Sequence, residues 1–127
     1  MAMTLITTNT ITSATAASNF TSSVDNTYKL YIFKFYDVRG ASDGANFTVG
    51  FSINSGSDYD AVNLTTTCFR SEHTEDDGTT SFAYIAAKDL ANTTGFQTIT
   101  DQIDTDVGDQ SAAGELYLFN PSSTTYV

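Results

Sequence analysis

This chain of 127 residues contains few of the residue types that carry out chemistry. It has one histidine, one cysteine, one proline and no tryptophan, and five basic residues against fifteen acidic ones. Catalytic and metal sites need several convergent reactive groups, so we expect a protein that is not an enzyme and that has no cofactor or bound metal. A lone cysteine also cannot form a disulfide within the chain, so stability must come from packing or from assembly.

The charge balance and the lack of long apolar runs exclude two classes of partner. The formal net charge of −10 repels a phosphate backbone, so nucleic acid is not an expected partner. No apolar run approaches the roughly 20 residues that a membrane-spanning helix needs, so no membrane association is expected. The N-terminal segment has neither the basic start nor the apolar block of a signal peptide, which favours synthesis in a cytoplasm.

Aromatic and hydroxyl-bearing residues are abundant instead, and their pattern predicts strands. Sixteen residues are phenylalanine or tyrosine. Apolar and polar residues alternate in short segments separated by turn residues, which is typical of strands in an antiparallel sheet. The predicted strands cover residues 28–38, 47–53, 62–70, 81–86, 96–103, 114–119 and 124–127, and one helical turn is expected within 86–92.

The spacing of these segments predicts the fold class. Several short strands at intervals of about ten to fifteen residues indicate an all-β protein, with an antiparallel, jelly-roll-like β-sandwich as the expected architecture. Residues 28–38 are largely apolar on both alternating faces, as in a central strand that is covered on both sides. We therefore expect one sandwich domain over residues 20–127.

Both ends of the chain are candidate docking elements. Residues 1–19 are small and polar apart from three apolar positions, which predicts an extended N-terminal arm or a weak edge strand that docks on a neighbouring subunit. At the other end the chain stops within a strand-like segment. Two interpretations of this segment stay open. It completes a sheet, on this chain or on a neighbouring chain, or the sequence is the N-terminal part of a longer product. The residues predicted to dock are Leu5, Ile6, Ile11, Tyr126 and Val127.

We interpret the single histidine and the single cysteine as structural residues. His73 lies in an acidic loop over residues 72–80, where it could be a metal ligand or a general base, but no second histidine offers a convergent partner. We interpret it as a solvated loop histidine. Cys68 follows three threonines and is interpreted as a small buried apolar residue. With Leu64 and Phe69 it is expected on the inward side of its strand.

Acidic loops and tyrosines suggest two further kinds of site. Calcium prefers oxygen ligands in flexible loops, but the acidic spacing here does not match an EF-hand, and a solubilising role is the alternative. Nothing selects two of the fifteen acids as a glycosidase pair. Exposed tyrosines could contact a glycan, with Tyr59 and Tyr84 as the candidates. The acidic residues considered for calcium are Asp58, Asp60, Asp101, Asp104, Asp106 and Asp109.

Several segments together resemble a known group of proteins. These segments are YKLYIFKF at 28–35, TTTCFRSEH at 65–73 and GELYLFNPSSTTYV at 114–127, and the same pattern includes residues 1–6 and 20–27. As a set they resemble poorly characterised structural proteins encoded by tailed bacteriophages, often marine or cyanobacterial. Members of that group continue beyond the position where this sequence stops. The resemblance assigns no catalytic residues to this sequence.

The resemblance implies a non-enzymatic structural protein of the virion. Such a protein would be made in the host cytoplasm, would form a homo-oligomer and would bind the major capsid protein or other virion proteins. A short domain with an arm favours a capsid decoration or cement protein over a fibre. The alternative is a tail fibre or an adhesin-type carbohydrate-binding module that contacts the host surface; two or three exposed aromatic residues on one flat face would favour it.

Overall fold

The computed structural model describes residues 3–103, 105 and 110–123. Strands dominate this part of the chain, and its one helical element is a short 3₁₀ turn at Ala86–Lys88, so the predicted all-β class is confirmed. None of the described helical structure is long and apolar enough to span a bilayer. The strands are β1 Leu30–Val38, β2 Ala45–Val49, β3 Leu64–Thr65, β4 Phe69–His73, β5 Thr80–Tyr84, β6 Ala91–Thr93, β7 Gln97–Ile103 and β8 Ala112–Phe119.

The described strands form two-stranded sheets. β1 pairs with β8, β2 with β7, β3 with β6, and β4 with β5. The β1–β8, β3–β6 and β4–β5 pairs are antiparallel. The face-to-face packing of a sandwich stays a prediction. The chain divides into two compact units, of which the first comprises Met1–Ala45 with Gln102–Val127 and the second comprises Asn46–Asp101.

The first unit is built on the long β1–β8 ribbon. Its register runs without interruption from Leu30 opposite Phe119 to Phe35 opposite Gly114, and shifts between Phe35 and Val38. On the inward face Tyr31 is only 4% exposed, and the Phe33 and Phe20 rings meet edge-to-face at a centroid distance of 5.4 Å. The inward aromatic side chains of β1 therefore form the centre of this unit.

The second unit combines short strands with side-chain hydrogen bonds. The Thr66 hydroxyl bonds the Gln97 side chain at 2.5 Å and accepts from the Leu90 amide at 2.9 Å, which ties β3 to the segment that leads into β7. The Lys88 ammonium lies 3.3 Å from the Asp101 carboxylate. Because short strands form few backbone hydrogen bonds with one another, these side-chain contacts help to hold the strands of this unit together.

Three predicted segments end at different positions in the structure. The strand predicted over 47–53 stops at Val49, where Gly50 lies against the Tyr59 carbonyl and the Phe96 ring. The segment predicted as one strand over 62–70 is two strands, β3 and β4, and β4 continues to His73. The helical turn expected within 86–92 occupies only Ala86–Lys88, because the chain then extends into β6.

The predicted inward and outward sides are also wrong at several positions. Ile53 is an apolar residue of the strand predicted over 47–53, where alternation would turn it inward, but it is 89% exposed because it lies beyond the end of β2. Phe69 is 61% exposed, whereas Leu64 and Cys68 are half-buried. In β7, Gln102 has a φ of 56°, which breaks the alternation beside the buried Ile103. Local backbone conformation thus decides these faces.

Candidate interaction surfaces

The β4–β5 hairpin carries its aromatic side chains on an exposed face. Strand alternation puts every second residue on the same side, and all six residues of this side are exposed. On the opposite side Glu72, Ser81 and Ala83 are half-buried, whereas Arg70 is exposed. The hairpin therefore presents its rings outward and its small or polar side chains inward. We call the outward side the hairpin face; it consists of Phe69, Ser71, His73, Thr80, Phe82 and Tyr84.

Three rings of the hairpin face contact one another. Phe69 lies opposite Tyr84 in the register, with ring centroids 5.5 Å apart. The Phe69 and Phe82 rings are stacked, 6.0 Å apart and within 6° of parallel. Phe82 is 76% exposed, so the stack is open to solvent. Together the three rings form an exposed apolar platform, in which the Tyr84 ring is tilted by 51° against Phe69.

A carboxylate anchors the platform at Tyr84. The Tyr84 hydroxyl donates a short hydrogen bond to Asp89, whose other carboxylate oxygen accepts from the Cys68 amide at 2.8 Å. This bond raises the pKa of the Tyr84 phenol, with a smaller contribution from desolvation, because ionisation would lose the bond and face a like charge. Asp89 thus orients Tyr84 and places a hydrogen-bonding carboxyl group beside the rings.

A second exposed face lies on the β1–β8 ribbon. Tyr117 and Phe119 stack with centroids 6.5 Å apart and are 49% and 68% exposed. They lie opposite Ile32 and Leu30, and the next pair is Lys34 with Glu115. The sequence predicts a strand covered on both sides, whereas this side of β1 is open in the isolated chain. We call it the ribbon face; it consists of Leu30, Ile32, Lys34, Glu115, Tyr117 and Phe119.

The charged pair on the ribbon face is connected to the neighbouring ring. The Lys34 ammonium lies 2.5 Å from one Glu115 oxygen, and the Tyr117 hydroxyl donates to the other. The Lys34 hydrogen bond, followed by that of Tyr117, lowers the pKa of Glu115, and the same carboxylate raises the pKa of Lys34 and of Tyr117. Lys34 and Glu115 are therefore both charged at neutral pH.

The two reactive residues considered from sequence, His73 and Cys68, lie in different surroundings. His73, predicted in a loop, is the last residue of β4, and its Nε2 lies 3.0 Å from an Asp77 oxygen, with both side chains exposed. Cys68 is half-buried. The single histidine therefore lies in an exposed contact with Asp77 at the end of the hairpin face.

The described part of the chain contains no group of three or more acidic, histidine or cysteine side chains that could hold a metal ion. Asp58 does lie close enough to Asp60 to raise the pKa of that carboxyl, through a hydrogen bond and through its charge. Asp101 pairs with Lys88. The remaining acids considered for calcium, Asp104, Asp106 and Asp109, lie outside the described residues.

The predicted docking residues of the arm are exposed. Leu5, Ile6 and Ile11 are 82%, 42% and 56% exposed, in a segment without strand or helix from residue 3 onwards. Tyr126 and Val127 lie outside the described residues. The arm side chains are accessible to a neighbour, and their role in docking stays a prediction.

The two tyrosines proposed for glycan contact differ in their surroundings. Tyr84 is 53% exposed and belongs to the aromatic platform. Tyr59 is half-buried, and its hydroxyl is shielded from solvent without a hydrogen-bond partner in the described part of the chain. Only Tyr84 therefore presents its ring beside other exposed rings.

Sequence reasoning missed four of the exposed aromatic residues. The usual rule assigns large aromatic rings to the interior, so the exposure of Phe69, Phe82, Tyr117 and Phe119 was not expected. The signal that could have identified β5 is the pair of residues that alternate with its rings, Ser81 and Ala83, which are too small to form an apolar face.

Comparison of the chain with known proteins finds no matching family model, no matching curated protein and no matching solved structure.

Proposed function

We propose that this chain is a non-enzymatic structural protein of a bacteriophage virion that decorates the capsid. It is made in the host cytoplasm and binds the major capsid protein or another virion protein in repeated copies. Its strands belong to an antiparallel, jelly-roll-like β-sandwich. The observation that supports a binding role most directly is the pair of outward aromatic faces, since large exposed apolar patches on a folded protein usually mark interaction sites.

Two further observations agree with this proposal. The sequence resembles phage structural proteins over most of its length, and it contains a single histidine and a single cysteine. The arm adds an extended segment with three exposed apolar side chains, which can lie along a neighbouring subunit without disturbing the strands. A role in recognition needs only such complementary surfaces.

Deletion of residues 1–19 is expected to lower binding to virus particles that lack this protein by at least a hundredfold. The far-ultraviolet circular dichroism should stay β-type, because residues 3–19 contribute no strand. Binding is measured by co-sedimentation with the particles. A full-length variant with Leu5→Ser, Ile6→Ser and Ile11→Ser tests whether the apolar side chains are responsible.

Two results would contradict different parts of the proposal. Unchanged binding after the deletion would remove the arm from the interface. Failure of the full-length protein to bind any particle component would contradict the role in the virion.

A second candidate function is binding of host-surface carbohydrate, as in a tail fibre or adhesin. The specific observation in its favour is the hairpin face, where Phe69, Phe82 and Tyr84 form one exposed platform. Asp89 beside it can accept hydrogen bonds from sugar hydroxyls, while the rings pack against the apolar face of a sugar.

Replacement of Phe82 by alanine is expected to weaken any glycan binding at least tenfold, since exposed aromatic anchors dominate such contacts. A glycan array followed by titration calorimetry with the strongest hit measures the effect. Tyr36→Ala is the matched control, because Tyr36 is 74% exposed and lies in the other unit. An array without hits, or equal losses in both variants, would reject the carbohydrate function.

A further inference from the structure

The ribbon face is mostly apolar, and the opposite side of β1 is already buried within the first unit. The inward side of β1 contains the buried Tyr31, and the outward side presents Leu30 and Ile32 next to the stacked rings of Tyr117 and Phe119. Removal of the exposed part of these side chains from water favours an association. The face therefore has the composition of the centre of a protein interface.

The two charges of the ribbon face bear on which partner it can accept. Lys34 and Glu115 are its two charged residues, and they lie directly opposite each other in the register. The face is thus locally neutral on a chain whose formal net charge is −10. A strongly cationic partner would be attracted to the acidic surface elsewhere, whereas a neutral, mostly apolar patch allows two acidic chains to approach.

A symmetric interface needs a surface that is complementary to itself. One positive and one negative side chain on the same face meet that need. A two-fold axis between two copies of the face brings Lys34 of each copy to Glu115 of the other. We propose that the ribbon face is a self-association surface, on which a second copy of this chain docks through its own ribbon face.

This proposal deepens the proposed structural role, which rests on assembly in repeated copies. It is tested in solution without virus particles, so its failure is distinguishable from failure of particle binding. Added salt should strengthen the dimer, because it screens the repulsion between the acidic surfaces outside the face more than it affects the apolar contact.

The test uses two charge-reversed variants, Lys34→Glu and Glu115→Lys. Each makes the ribbon face carry two like charges, so each variant alone should self-associate at least tenfold more weakly than the unchanged protein. An equimolar mixture should recover association as a heterodimer, since the two faces then have opposite charge. Sedimentation equilibrium measures the association constants, and circular dichroism checks that each variant is folded.

A second pair of variants tests the apolar part of the face. Phe119→Ser should weaken self-association at least tenfold, whereas Ile53→Ser should leave it unchanged, because Ile53 is 89% exposed in the other unit. A monomeric unchanged protein at all concentrations would overturn the proposal. So would a mixture of folded charge variants that stays monomeric, or a dimer that tolerates Phe119→Ser.

Discussion

Replacement of Tyr31 by alanine is expected to lower the free energy of unfolding of the first unit by about 3–5 kcal/mol, the range for removal of a buried aromatic side chain. Tyr31 is 4% exposed, and the Tyr28 ring meets it edge-on at 5.8 Å. The Tyr31 hydroxyl donates a hydrogen bond to the Asp25 carboxylate at 3.0 Å, and it accepts one from the Asp25 amide at 3.2 Å. Truncation therefore leaves a cavity and separates residues 25–28 from β1.

This loss is large for a protein of this size. Domains are typically stable by only about 5–15 kcal/mol, so the midpoint of thermal unfolding should fall by about 12 °C or more. Hydrogen exchange of the β1 and β8 amides reports on this unit, and calorimetry gives the midpoint.

Tyr36→Ala is the matched control for Tyr31→Ala. The chemical change is the same, but Tyr36 is 74% exposed, so the expected change is within about 0.5 kcal/mol. Tyr31→Phe retains the ring and removes only the hydroxyl, so it separates packing from the contacts with Asp25. Similar losses for the alanine variants at positions 31 and 36 would contradict the assignment of Tyr31 to the centre of the unit.

Replacement of Gly50 by alanine is expected to lower the free energy of unfolding of the second unit by about 3 kcal/mol. An added Cβ would overlap the carbonyl oxygen of Tyr59 and approach the Phe96 ring at 2.5 Å. The carbonyl belongs to the backbone and cannot rotate away, so the chain must shift. Overpacking of this kind costs about 1–3 kcal/mol, and here it acts on two sides at once.

Gly78→Ala makes the same change within the same unit. There the added Cβ meets only the Asp76 carboxyl group, at 2.9–3.3 Å, and that side chain can turn aside. The expected loss is below about 1 kcal/mol, and the reduced freedom of the unfolded chain offsets part of it. Chemical denaturation compares the two variants. An equal effect at positions 50 and 78 would mean that the close approach at Gly50 does not constrain the fold.

Strand positions could be predicted from sequence where the pattern is long. The segments predicted at 28–38 and 114–119 correspond to β1 and β8, because aromatic and β-branched residues continue over more than one strand period. The short strands of the second unit were less predictable. β3 has two residues and β6 has three, too few for alternation to be recognised.

The candidate surfaces were only partly predictable. The sequence indicated Tyr84, but it did not place Phe69 and Phe82 beside it, since that grouping depends on the register of β4 with β5. Likewise, Lys34 and Glu115 are 81 residues apart and meet only because β1 pairs with β8. Contacts between distant residues follow from strand register, which local patterns do not specify.

The amino-acid sequence by itself determined the all-β class, the positions of the long strands and the acidic charge, since each depends on composition or on short-range alternation. Only the tertiary structure decided which side of each strand faces outward. Alternation divides the residues of a strand between two faces, but it does not say which face another part of the chain covers. At β5 and β8 the more exposed face is the aromatic one, because the chain half-buries the residues on the opposite side of each strand.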